Sequence, residues 1–193
     1  MFWKEIYESN SELYNRWRLV KAREMLSNKN DSGTIYLNGQ YLVAAGQQSI
    51  RIWNGINPKL EPDGVFSIGK KYATKINILQ NNIIATCSDG IFRSWNLDQP
   101  LGAIDQPDQA TKISKKSLVS LEILKDMIIM GDIEGVVYLG TMSEDFDVSM
   151  KKKIHKGPVT SIISAPDPVG NDDLVFTSSS DYTVKVLEKN YKY

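Results

Sequence analysis

The sequence predicts an all-β repeat fold of about four short-stranded units, preceded by a short α-helical segment, and three observations predict the β part. One pattern returns along the chain. IIATCSDGIFRSW, closing at Trp95, reads as a buried strand, a tight acidic turn at Asp89-Gly90 and a second strand. VAAGQQSIRIW comes before it and closes at Trp53, while IIMGDIEGVVYLG and VFTSSSDYTVKVL follow and close at Gly140 and Leu187. The closing positions lie 42, 45 and 47 residues apart. The second observation is that YLVAA, NIIAT, MIIM and LVF are continuous apolar runs, as strands buried on both faces require. The third is the turn after each run. A short acidic side chain there satisfies backbone donors, and a Gly or small residue bends the chain.

A period of roughly 40 to 45 residues with four strands in each resembles the blade of the WD-repeat β-propeller family. The resemblance covers about residues 34–193 and implies blades at about 34–70, 71–112, 113–153 and 154–193. It also implies a buried hydrogen-bonded set in each blade: a turn Asp, a strand-end Trp, a His before the first strand and a Ser or Thr within it. The last repeat keeps His155, Ser161 and Asp181, with Leu187 where the Trp belongs. The second keeps Asp89 and Trp95, with Lys71 near the His position and Asn77 at the Ser position. The third keeps Ser120 and Glu134 but has Ser114 and Gly140, and the first keeps Trp53 with Gln47 for the acid. No repeat holds the full set. Four blades are few beside the seven or eight usual in the family, and closure of the ring removes exposed ends. The expectation is therefore a truncated product, a ring completed by another copy or another propeller, or a four-bladed ring closed on itself.

Taken in order, the chain begins with residues 1–30, which fall outside the repeats. Phe2, Trp3, Ile6 and Tyr7 recur at helical spacing, and Ser9-Asn10-Ser11-Glu12 has the capping-box pattern that opens a helix carrying Leu13, Trp17 and Val20 on one stripe. Two helices packing their aromatics on the blades is one reading. The other is a resemblance: Trp3, Lys4 and Tyr7, then Arg16, Trp17 and Arg18, are similar to the helical linker between the F-box and the propeller of F-box/WD-repeat proteins. That resemblance implies a Skp-type adaptor and a cullin as partners if an F-box lies upstream of Met1. Asn28–Gly33 is then a polar loop, and Asn38-Gly39 between TIYL and QYLVAA is the preferred pair for a type I′ hairpin turn. GVFSI, LGAI and DVSMK are candidate outer strands.

Composition narrows the function. Of 193 residues, 23 are basic and 23 acidic, so no net charge points to nucleic acid or an anionic membrane. The single cysteine, Cys87, cannot form an internal disulfide. No apolar run approaches membrane-spanning length, and MFWKEIYESN lacks a signal peptide's layout. A soluble protein of the cytoplasm or nucleus is expected. With one His and one Cys, the usual transition-metal ligand sets are missing. Nucleophile-elbow, P-loop and dinucleotide motifs are absent too. Asp89, Glu134 and Asp181 recur at one repeat position and read as turn acids rather than a catalytic pair. His155 reads as a structural histidine. No cofactor and no enzymatic activity are expected.

One charge pattern remains. The segments leading into successive inner strands are basic: Lys70-Lys71, then Lys112 with Lys115-Lys116, then Lys151-Lys152-Lys153 with Lys156. In a propeller these segments reach one face. Lys71, Lys115, Lys116, Lys152, Lys153 and Lys156 are therefore the candidate contacts for an acidic or phosphorylated peptide, though phosphate readers favour arginine's planar fork. Lysines in solvated loops are the plainer reading. The function expected is protein binding, as a substrate-recognition subunit of a cullin-type ubiquitin ligase or as a scaffold in another intracellular assembly.

Overall fold

Strands follow one another as antiparallel meanders, each ending where its apolar run gives way to a turn. The structure, a computed structural model, describes residues 33–38, 40–54, 61–142, 146–166 and 173–187. The first sheet holds β1 (Thr34–Leu37), β2 (Tyr41–Ala45), β3 (Gln47–Asn54) and the opening half of β4 (Gly64–Leu79). The second holds the closing half of β4 with β5 (Asn82–Cys87) and β6 (Ile91–Asn96). The two-residue β7 (Ala103–Ile104) runs parallel to the first half of β4, and β8 (Gln109–Lys112) completes the second sheet beside β6. The third sheet is β9 (Leu118–Leu124), β10 (Met127–Asp132), β11 (Val136–Thr141) and β12 (Asp147–Lys153). The fourth is β13 (Val159–Pro166), β14 (Asp173–Ser179) and β15 (Val184–Leu187). Every helix or strand among the described residues is a strand, and the sheets curl into a half-barrel.

Each sheet buries one face on the next, which is what two-sided apolar strands demand. Val43, Ile50 and Ile52 of the first sheet pack with Ile76, Ile83, Ala85 and Trp95 of the second. Ile84 and Phe92 of the second pack with Leu118, Ile128, Met130 and Tyr138 of the third. Ile129 and Val137 of the third meet Val159, Ile162 and Val175 of the fourth. Most of these side chains are fully buried, and each contributes about 1.5–3 kcal/mol of transfer free energy. The repeat is therefore a stacking unit with two apolar faces.

The turns are set by local chemistry. Asn38 accepts the Gln40 and Tyr41 amides on its side-chain oxygen, at 2.9 and 2.6 Å, and so closes the β1–β2 connection. Gly90 and Gly135 sit at φ of 75° and 85° in the β5–β6 and β10–β11 turns, a left-handed region that disfavours side chains.

Four expectations need correcting or placing. Lys70 and Lys71 do not lie in a loop, because β4 runs unbroken from the first sheet into the second through the expected 70/71 blade boundary. A bulge opposite Gln47 and a left-handed Gly69 (φ 82°) let one strand serve both sheets. Asn77 is not at the repeat's Ser position either: Lys75, Ser120 and Ser161 are the equivalents, each just past a bulge opposite the turn-side end of the next strand. The outer strands fall as GVFSI within β4, LGAI around β7 and DVSMK within β12. The helices expected over residues 1–30, with Trp3, Tyr7 and Trp17, lie outside the described residues.

Candidate functional site

Backbone hydrogen bonds interleave the turns and the lead-in segments along one edge of the stacked sheets. The Ser88 amide donates to the Tyr72 carbonyl at 3.0 Å, joining the basic stretch of β4 to the β5–β6 turn. Gly90 O accepts Ile113 and Ser114, Ser117 O accepts Ile133, and Gly135 O accepts Ile154 and His155, all at 3.0–3.1 Å. Ser180 N then reaches Pro158 O at 3.2 Å. Turn, lead-in, turn, lead-in: the edge is continuous from β4 to the β14–β15 turn.

The lysines sit on this rim in different ways. Lys70, Lys71, Lys115, Lys116 and Lys156 are exposed. Lys152 and Lys153 are exposed at the rim end of β12, opposite Val137 and Val136, rather than in the lead-in loop. Lys116 pairs with Glu134 at 2.8 Å, which raises the ammonium's pKa through that hydrogen bond. Lys112 donates to the Asp89 carbonyl and Lys151 lies 5.4 Å from the centre of the Tyr138 ring. The rim acids are turned inward or paired. Asp89 forms two hydrogen bonds with Arg93, at 3.0 and 2.8 Å. Burial opposes ionisation of Asp89, and the hydrogen bonds from Arg93 and the Ile91 amide, with the Arg93 charge, together outweigh it to hold the carboxyl below its usual range. Asp181 is held low by the Thr183 hydroxyl and the Lys156 amide.

Beneath the rim each repeat solves its polar burial differently. In the fourth, His155 is buried and its Nδ1 lies 3.3 Å from Asp181 and 2.9 Å from Thr183, with Nε2 2.9 Å from Thr177. The hydroxyls it meets belong to Thr177 and Thr183; Ser161 is exposed on β13. In the third, Asp132 rather than Glu134 is the buried acid. Its carboxylate accepts the Ser114 and Tyr138 hydroxyls and the Glu134 and Val136 amides, at 2.9 to 3.0 Å. Burial pushes the Tyr138 phenol up to about 12. In the second, burial pushes the Cys87 thiol up to about 11, against the opposing pull of Arg93. Such a thiol is a poor nucleophile at neutral pH. Trp53 and Trp95 are buried, yet their indole N–H groups find no acceptor. Where the third repeat has Gly140 instead of Trp, the Phe146 ring fills the space and packs on Phe92 at 4.5 Å between centroids.

Sequence reasoning missed Asp132, Thr177, Thr183 and Arg93. The motif GDIEG offers two acids and nothing within it says which is buried; the fold decides by bringing the Ser114 hydroxyl, from 18 residues earlier, to Asp132. At the far end of the third and fourth sheets lies an apolar cleft lined by Leu124, Met127, Ile129, Leu139, Val175 and Leu187. The Lys125–Asp173 ion pair, 2.7 Å, stands at that end. Among the described residues no cluster of three His, Cys, Asp or Glu could hold a metal ion, and no helix is long and apolar enough to cross a membrane.

With the rim and its interleaved turns defined, the architecture is an all-β, partly propeller-like array. No protein-family model and no curated protein matches the chain. Among solved structures it is similar to the computationally designed Ika8 protein, at a TM-score of 0.64 and 15% identity, over 79% of this chain and 44% of that one. It is similar also to the computationally designed Ika4 protein, again at 0.64 and 15%, over 86% of this chain and 98% of that one. The chain thus spans less than half the length of Ika8. Identity this low shows the fold alone.

Proposed function

We propose that this chain is a WD-repeat-like protein-interaction module of the cell interior that binds an acidic or phosphorylated protein segment along its lysine rim. Binding, rather than catalysis, is its role in this reading. The observation that carries it is the interleaved edge, where Asp89 is engaged by Arg93, Glu134 by Lys116 and Asp181 by buried or backbone donors. Lys70, Lys71, Lys115, Lys153 and Lys156 stay exposed on the same edge. Ammonium groups beside one another on such an edge attract carboxylates and phosphates through charge-assisted hydrogen bonds, and salt weakens that attraction.

Reversing Lys115, Lys116, Lys152 and Lys153 to Glu is expected to weaken a fluorescein-labelled phosphothreonine peptide rich in Asp and Glu at least about tenfold, roughly 1.4 kcal/mol. Fluorescence anisotropy at low and moderate salt reads this out. Lys125→Glu, at the opposite end of β10, is the control and should leave affinity unchanged. Equal affinity for the peptide in the fourfold variant and the parent would show the rim to be ordinary solvated surface.

The narrower reading, a substrate receptor of a cullin-type ubiquitin ligase, rests on the Trp3, Tyr7 and Trp17 pattern. Capture of the endogenous protein with a C-terminal tag should bring down a Skp-type adaptor and a cullin. A stable set of other proteins without those two would leave the general scaffold.

A further inference from the structure

The two ends of the array expose the surfaces that its interior sheets bury. The face each sheet turns to its successor is built from equivalent positions. They are Val43, Ile50 and Ile52 in the first sheet, Ile84 and Phe92 in the second, and Ile129 and Val137 in the third, and all are at most 1% exposed. In the fourth sheet the same positions are Phe176, Val184 and Val186, in register as Phe176↔Val186 and Ser178↔Val184. There Val184 is 70% and Val186 46% exposed, and Ile163, paired with Phe176 on that face, is 56% exposed.

The other end repeats the situation in reverse. The innermost strands turn Ile76 and Ile78 of the second sheet, and Leu121 and Ile123 of the third, toward the preceding sheet. Their equivalents in the first sheet are Ile35 and Leu37, paired with Ala44 and Leu42, and they are 72% and 69% exposed. Exposed apolar faces of this kind mark interaction surfaces.

We infer that a second copy of this chain covers both faces, the first sheet of each copy seating on the fourth sheet of the other around a two-fold axis. The two open faces are successor-facing and predecessor-facing versions of one stacking unit, so the shape each fits is the other. Head-to-tail contacts either close or run on as filaments, and two half-rings close. The inference concerns the sheet faces and does not rest on the lysine rim.

Sedimentation equilibrium and light scattering of the 193-residue chain from about 1 to 100 μM are expected to give twice its 21.8 kDa. Ile35→Asp with Leu37→Asp, and separately Val184→Asp with Val186→Asp, should each be monomeric with unchanged far-ultraviolet circular dichroism. These side chains are already exposed within one copy. Mixed in equal amounts, the two variants should re-form one dimer through the single intact pair of faces. A milder change, Val184→Thr with Val186→Thr, should raise the dissociation constant at least about tenfold without endangering the fold. A monomeric parent, an open-ended ladder of larger species, or dimers surviving in either Asp variant would overturn the inference.

Discussion

Gly90→Ala is expected to lower the melting temperature by about 10 °C or more, whereas Gly69→Ala should lower it by only about 3 °C, taking roughly 2–4 °C per kcal/mol for a chain of this size. Both glycines have left-handed backbones, φ 75° and 82°, which cost an L side chain about 1–2 kcal/mol. Space separates them. A Cβ on Gly90 would lie 2.1 Å from Ser114 O and 2.3 Å from Lys116 O, both backbone atoms of the third sheet's lead-in segment. At Gly69 nothing lies within 4 Å. For Gly90 the segment must move, and the Ile113 and Ser114 hydrogen bonds to Gly90 O at 3.0 and 3.1 Å go with it. Strain plus two lost bonds brings the cost to about 3–5 kcal/mol. Thermal denaturation followed by circular dichroism compares the two variants. Equal losses would mean that the lead-in segment does not press on the turn as described.

Asp132→Ala is expected to cost about 3–5 kcal/mol, because it strips four donors at once from a carboxylate only 1% exposed. Asp132→Asn preserves shape but exchanges one acceptor oxygen for a donor, and should cost about 1–2 kcal/mol by the same reckoning. Tyr138→Phe removes only one partner, so its effect should be largely absent in the Asp132→Ala background. A double-mutant cycle in urea measures that coupling, expected above roughly 0.5 kcal/mol. Full additivity would mean that the phenol and the carboxylate do not share a bond in solution.

The β architecture was legible because its signals are local. YLVAA and NIIAT had to be strands buried on both sides, and Asp89-Gly90 had to be a turn, whatever lay around them. The continuity of β4 was not legible. GKKYATK reads as a solvated loop, and its strand character comes from pairing with Gln47 on one side and Cys87 on the other, both distant in sequence. The polar sets were half legible. His155 and Asp181 are visible as a chemical pair, but Thr177 and Thr183 are ordinary β-formers until β14 and β15 bring them to the imidazole. Asp132 is masked by Glu134 two residues on. Burial chose between them, and burial depends on the Ser114 segment folding across the turn. The lysines could be read as a recurring charge; that Lys152 and Lys153 belong to an outer strand depended on the register of β12 against β11.

The single β4 strand has a mechanical consequence. The third and fourth sheets are each entered through a short connection and can in principle part from their predecessor by bending there. Between the first two sheets the strand itself is unbroken: β4 runs on for 16 residues, its opening half paired to β3 and its closing half to β5, with 68–71 crossing between the two ladders. Pulling the first sheet away therefore loads the second through the β4 backbone itself. Strand continuity couples these two sheets more closely than any other adjacent pair in the array, so they are expected to open together, with more of the compliance in the C-terminal half.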